Sequence, residues 1–501
     1  MRMSCFFAIF GLMKRLIPLL LAAATLCGCR PAVSDYAIVA GPGIADDPAW
    51  SEVVAALRQS HPGAALLSYT EAPDEALPAL RELAPRYVAF VDRPEQIGRD
   101  YIIALNRMAR AVDGDSYDDY LWGVVTGYDA AAARRMVEAA REPLTVRSAV
   151  STLREVGSGK WFDAFAYVDD RTPGLCGEKR PGADSVTHYM TTRTLADGRP
   201  DLLRCFCDFY AAYDPDLITT ASHATERNLE MPFSVGNLRA RDGALYADFP
   251  EGPEPLHETG KRRVFLPIGN CLIGNVNRTR ESMAVAWMNS AHAAAMMGYV
   301  VPTWYGRNGW GGLKYWLTTP GRYTLAEAFY LNRQDMLHWL DEQLPAVRDR
   351  AFPYPGDDFD WERMVGQADS TAGRHLTDDE LGFFFDRDVL ACYGDPAWEV
   401  RLRELPAERD FEVTQRRVGS QYEITVTTAS DFSAARMAGD RFKEEHVGDL
   451  PFSCFFPERL KNPRLAGGQT WHAAVDENFL LVYDPGFEPG RSYRILLDID
   501  R

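Results

Sequence analysis

Two residues of this chain, Cys271 and His223, combine a reactive side chain with a position that could put it to use. Cys271 lies in RVFLPIGNCLIGN, residues 263–275. The apolar run 264–268 reads as a buried strand, which Gly269 and Asn270 break. The thiol therefore stands at a strand's carboxyl end, where ligands and reacting groups collect in open α/β sheets. Forty-eight residues earlier, His223 follows a second strand-like run, 216–220, within ASHA at 221–224. A thiol and an imidazole at two strand ends are the parts of a nucleophile–base pair. The imidazole takes the proton and the thiolate attacks a carbonyl carbon. The backbone N–H groups of Ala224 and Cys271 are the natural donors for the oxyanion that follows. Each residue also has a plainer reading. Free Cys is among the most buried residue types, and a strand-end His is readily satisfied by polar neighbours such as Glu226 and Asn228.

Around this pair, Asn270 and the aromatics Trp304, Tyr305 and Trp310 read as walls of a substrate cleft, or equally as the cover of a core. The acidic turn DGDSYDD, 113–119, offers oxygen ligands for Ca²⁺ but lacks EF-hand spacing, and a solvated acidic turn is the competing reading. There is no C-x-x-C pair and no His/Cys cluster at zinc spacing, so neither a structural zinc nor another cofactor is expected.

The elements that must position these residues follow from periodicity. Strands at 36–40, 65–69, 87–91 and 121–126 alternate with helices at 48–59, 74–83, 101–111 and 130–141. Such alternation predicts βαβ units and a Rossmann-like, mostly parallel sheet flanked by helices. Residues 148–156 read as helical and 161–168 as partly extended. A helix at 202–212 leads into the strand before His223. Residues 224–262 form a polar excursion, long for a connection within a domain. Residues 281–297 are apolar on nearly every face and predict a buried helix, with a strand at 299–301 and a long helix at 323–344. Residues 350–408 read as a linker and closing segment. Beyond 409 the chain is extended at 411–417, 422–428, 471–483 and 492–499, which predicts a β-sandwich of about 90 residues, near immunoglobulin size.

Composition narrows the function. A chain of 501 residues holds more than one domain, and 46% hydrophobic with 25% charged residues is ordinary for a globular protein. A net charge of −17 argues against a nucleic-acid partner, which needs clustered Lys and Arg. At the N-terminus, Lys14 and Arg15 precede an apolar run, 16–26, too short to span a bilayer, and then Leu26-Cys27-Gly28-Cys29. This resembles a bacterial lipobox. It implies a signal peptide over 1–28, lipid on Cys29, and a membrane anchor in the cell envelope. Arg30 in place of Asp points to the outer membrane. Of nine cysteines, six then remain in the folded part, in a compartment that permits disulfides.

Three segments are similar to the gingipain family of cysteine peptidases, in the caspase-like clan. They are the acidic turn and strand at 113–128, the pair 219–224 with 268–275, and Tyr393-Gly394-Asp395-Pro396. The resemblance covers about residues 36–400, and the β-rich tail extends it. It implies a caspase-like catalytic α/β domain over 29–349, a closing segment over 350–408 and an immunoglobulin-like sandwich over 409–501. It also implies His223 as base, Cys271 as nucleophile, and an endopeptidase that cleaves polypeptide through a Cys271 thioester. The family has Gly after its catalytic His where this chain has Ala224, and its basic-side-chain pocket has no counterpart here. The rival expectation is a non-catalytic surface lipoprotein that keeps the fold to bind protein or glycan.

Overall fold

Twelve short strands build the central sheet of the protein, seen in a computed structural model that describes residues 35–354, 360–406, 409–439 and 447–500. The expected signal peptide and Cys29 lie outside the described residues. The strands are β1 (Tyr36–Ala40), β2 (Ala65–Ser68), β3 (Tyr87–Val91), β4 (Leu121–Val125), β5 (Ser148–Ser151), β6 (Ala164–Val168), β7 (Leu175–Lys179), β8 (Thr187–Met190), β9 (Leu217–Thr219), β10 (Arg263–Leu266), β11 (Ala293–Tyr299) and β12 (Leu390–Tyr393). Their order across the sheet is β2-β1-β3-β4-β12-β11-β10-β9-β5-β6-β7-β8. Runs such as YAIVA in β1 and LWGVV in β4 are buried at every position, as parallel strands covered on both faces must be.

Eight of the eleven neighbour pairs are parallel, so the expected mostly parallel sheet is present. The sheet has two parallel halves. Strands β1 to β4 run with β12, while β5, β6, β9, β10 and β11 run together in the other. The halves meet where β12 pairs antiparallel with β11. They point in opposite directions, and their carboxyl ends lie on opposite edges of the sheet.

Helices cover both faces. Helix α1 (Pro48–Ser60) starts as its sequence requires: Asp47 accepts from the N–H groups of Ala49 and Trp50, and Pro48 occupies the first turn. With Ala130–Ala139 it covers one face of the first half through Trp50, Val53, Leu57 and Val137. Arg99–Ala109 and the long helix Leu325–Gln343 belong to the core on the other side.

Several expectations change. Residues 281–297 form a short helix, Met283–Asn289, followed by β11, not one long helix. Residues 148–156 supply β5 and then a single 3-10 turn, Arg154–Val156, not one helix. The excursion at 224–262 is a five-stranded antiparallel sheet running from Ala224–Thr225 to Gly252–Pro255. The segment expected as linker carries two helices, Trp361–Ala372 and Asp378–Asp386, and then β12, which fills the middle of the central sheet.

The C-terminal strands form a four-stranded and a three-stranded antiparallel sheet around their own core of Tyr422, Ile424, Phe452, Leu480, Val482 and Ile495, among others. That is the expected sandwich, with the strand count of an immunoglobulin constant-type domain. It is not a bead on a linker. Strand Phe479–Tyr483 sends Leu480 and Val482 into the sandwich core, and Phe479 and Leu481 into the main core. Ser34–Arg501 accordingly form one compact unit. Among the described residues, no helix is long and apolar enough to cross a membrane.

Candidate active site

The central fact of the site is the register of β9 on β10. Leu217 pairs with Val264, Ile218 with Phe265 and Thr219 with Leu266, in parallel. Thr220 N–H continues the ladder to the Leu266 carbonyl at 3.1 Å. Both chains then leave the sheet at the same carboxyl edge, one carrying His223 and the other Cys271.

Two devices hold these ends together. Gly269 lies so close to Ala221 that a Cβ there would sit 2.6 Å from the Ala221 Cβ and 3.3 Å from the Trp310 ring. Only a residue without a side chain fits. Beside it, Asn270 is fully buried. Its carbonyl accepts from the Thr220 hydroxyl at 2.6 Å, and its amide donates to the Ser222 carbonyl at 2.9 Å and hydroxyl at 3.2 Å. Asn270 was expected in the substrate cleft. The structure makes it a latch instead, since every atom of its amide is engaged by the strand that leads to His223.

After Cys271 the chain reverses sharply. Leu272 has φ +59°, a left-handed conformation that an L-residue adopts at a cost of about 1 kcal/mol. Its N–H donates to Val301 O at 3.1 Å, and Gly274 N–H donates to Tyr299 O at 2.8 Å. The returning chain packs so tightly on β11 that a Cβ at Gly274 would fall 2.1 Å from the Gly298 carbonyl oxygen. The turn bearing the thiol is thus fixed from both sides.

The thiol itself is half-buried. The Thr303 N–H donates to its sulfur at 3.2 Å, and the Thr303 hydroxyl donates to the Asn270 carbonyl oxygen at 3.2 Å. The Thr303 segment is positioned by the next helix, Arg307–Thr318. Buried Asp386 accepts from the Asn308 N–H at that helix's N-terminus and from the Tyr299 hydroxyl at 3.2 Å. Burial pushes its carboxyl up to about 7, against the pull of those donors. Thr303 meets the sulfur through its backbone N–H, which no residue type announces.

His223 is exposed. Its carbonyl accepts from Glu230 N–H at 3.0 Å and opens the antiparallel hairpin Ala224–Thr225 with Asn228–Glu230. With His223 and Glu230 as the bonded pair, alternation along the ladder makes Ala224 opposite Leu229 the non-bonded kind, so the Ala224 N–H points out of the hairpin. Among the described residues, the imidazole and the Cys271 thiol are not hydrogen-bonded to each other; the hydrogen-bond partner of the sulfur is Thr303.

The expected aromatic wall divides. Trp304 is 40% exposed and packs edge-on against Trp361 at 4.6 Å. Trp310 is half-buried on the helix behind Gly269. Tyr305 does not face a cleft: it is buried beneath helix Asp378–Asp386, where its hydroxyl donates to Asp379 at 2.8 Å.

No protein-family model matches the chain, and no curated protein matches its sequence. Among solved structures, it is similar to the Arg-specific cysteine proteinase gingipain R, at 8% identity over 94% of this chain and 92% of that one, with a TM-score of 0.42. It is also similar to a complex of the pro- and mature domains of a Porphyromonas gingivalis gingipain, at 10% identity, 93% coverage of each chain and a TM-score of 0.38. A third structure, described as a protease, gives 11% identity over 79% of this chain and 85% of that one, with a TM-score of 0.36.

Proposed function

We propose that the protein is a cysteine endopeptidase with Cys271 as nucleophile and His223 as proton carrier. The observation that carries the reading is the delivery of both side chains to one edge by adjacent, in-register strands whose ends Asn270 ties together. The Cys271 sulfur attacks the scissile carbonyl carbon while its proton passes to the His223 ring. The oxyanion is received by the N–H groups of Ala224 and Cys271. His223 then protonates the leaving amine, and a thioester remains on Cys271. Water, deprotonated by the same imidazole, releases the acid and restores the thiol. No metal takes part in these steps.

The substrate on this reading is an extended polypeptide, with exposed Trp304 beside the thiol-bearing turn as an apolar contact. Lipid on Cys29 would hold the enzyme at the outer membrane, in the cell envelope. Incubation with an unstructured protein, followed by mass spectrometry of the new N-termini, tests the activity. Cleavage that disappears in Cys271→Ala supports it. Cleavage that persists in Cys271→Ala, or none by wild type across a broad peptide library, favours the binding lipoprotein.

A further inference from the structure

Two imidazoles and a carboxylate meet where the long helix Leu325–Gln343 packs on the sandwich, and no spacing rule reveals them. His338 and Glu342 are four residues apart on that helix and so share one of its faces. His472 lies 130 residues beyond Glu342, at the start of strand His472–Asp476. The antiparallel register sets it opposite Tyr483, and the Tyr483 ring stacks on His338 at 4.8 Å. The fold thus delivers His472 to the helix face that carries the other two. One ligand atom from each of the three lies within 4.8 Å of the others.

The cluster is short of a cation. His472 Nε2 stands 2.9 Å from Glu342 Oε1, and His338 Nε2 stands 3.4 Å from the same oxygen. Among the described residues, the buried Nε2 of His338 has no hydrogen-bond partner. Its other ring nitrogen, Nδ1, is 2.9 Å from the Tyr117 hydroxyl. With Nδ1–H donating to that oxygen, the ring is held in the tautomer that leaves Nε2 a bare lone pair, the arrangement in which a second partner orients a metal-ligating His. The stacked Tyr483 is itself anchored, since its hydroxyl donates to Asp335 at 3.0 Å. Two imidazole nitrogens and one carboxylate oxygen suit Zn²⁺, whereas Ca²⁺ and Mg²⁺ take oxygen ligands. Zn²⁺ bonded at about 2.0–2.1 Å in tetrahedral geometry keeps its ligand atoms about 3.3 Å apart, close to the spacings here. The Glu342 and His472 side chains are 41% and 58% exposed, so the cluster is open to solvent on one side.

We propose that His338, Glu342 and His472 form a Zn²⁺ site that pins the C-terminal sandwich to the long helix, with Tyr117 orienting His338 and water in the fourth position. The site does not depend on the peptidase chemistry of Cys271.

Titration calorimetry with Zn²⁺ on the chelator-treated protein tests this, in Cys271→Ala so that the reactive thiol cannot compete for the metal. One equivalent of Zn²⁺ should bind, and millimolar Mg²⁺ or Ca²⁺ should not displace it. His472→Ala and Glu342→Gln change exposed side chains and should keep the fold, yet each should weaken binding by about 100-fold or more. Tyr117→Phe should weaken it by about 10-fold, through the loss of the hydroxyl that orients His338. Zn²⁺ at about a hundredfold excess over its Kd should raise the melting midpoint by about 2–3 °C, and His472→Ala should lose that rise. No uptake by the Cys271→Ala protein, unchanged affinity in His472→Ala and Glu342→Gln, displacement by Mg²⁺, or bound Zn²⁺ that leaves the midpoint unmoved would overturn the proposal.

Discussion

The two halves of the central sheet end in opposite ways at their carboxyl edges. In the first half, β3 runs into Asp92, which is fully buried. One of its oxygens accepts from the hydroxyls of Tyr69 at 2.9 Å and Tyr101 at 2.6 Å, and Gly41 crowds the other. This edge is plugged. In the second half, β9 and β10 run into an exposed imidazole and a half-buried thiol, with the fastening done by Asn270 between them. Both edges hold a titratable residue just past a strand end. What separates them is whether the side chain is consumed by its neighbours, so position at a strand end is necessary for chemistry and not sufficient.

Substitutions that treat the two edges alike sharpen this contrast. The largest effect belongs to Cys271→Ala, which should lower peptidase kcat/KM by about 10³-fold or more, whereas Asp92→Asn should leave it unchanged. His223→Ala should cost roughly 10²–10⁴-fold, with the melting temperature nearly unmoved because the ring is exposed. Asn270→Ala should lower both quantities. It orphans the Thr220 hydroxyl and the Ser222 carbonyl, for about 1–3 kcal/mol of stability, and it loosens the alignment of His223 with Cys271. Denaturant unfolding beside kinetics separates the two losses.

The smallest effect is a pH dependence at the plugged edge. Burial pushes the Asp92 carboxyl up to about 7 in the folded protein, while the unfolded chain keeps a value of about 4. Between those values the native state holds a proton that the unfolded state has lost. The contribution of Asp92 to stability is therefore full below about pH 4, falls as pH rises, and is lost above about 7. Asp92→Asn removes that loss. The variant should melt above wild type at pH 8, with the gap closing toward pH 4. A constant gap across the range would mean that Asp92 stays ionised in the fold.

Much of this was legible in the sequence where structure is local. The runs before His223 and Cys271, the four βα units of the first half and the extended tail all announce themselves by composition and period. What was hidden is non-local. Ala293 to Met297 is Ala- and Met-rich and reads as the end of a helix, yet β10 and β12 flank it and draw it into the sheet. Asp, Gly and Pro in residues 350–385 suggest a linker, but nothing local shows that β12 beyond them must fill the centre of the sheet. The candidate pair was found because strand ends have a sequence signature. Thr303 was missed because a backbone N–H has none.

The most direct test is covalent labelling of the native protein with a peptide-based thiol electrophile, followed by peptide mapping. An activated pair at the open edge predicts one stoichiometric adduct, on Cys271, suppressed in His223→Ala and unaffected by Asp92→Asn. A Cys271 that resists even iodoacetamide in the folded protein, while reacting after denaturation, would contradict the account.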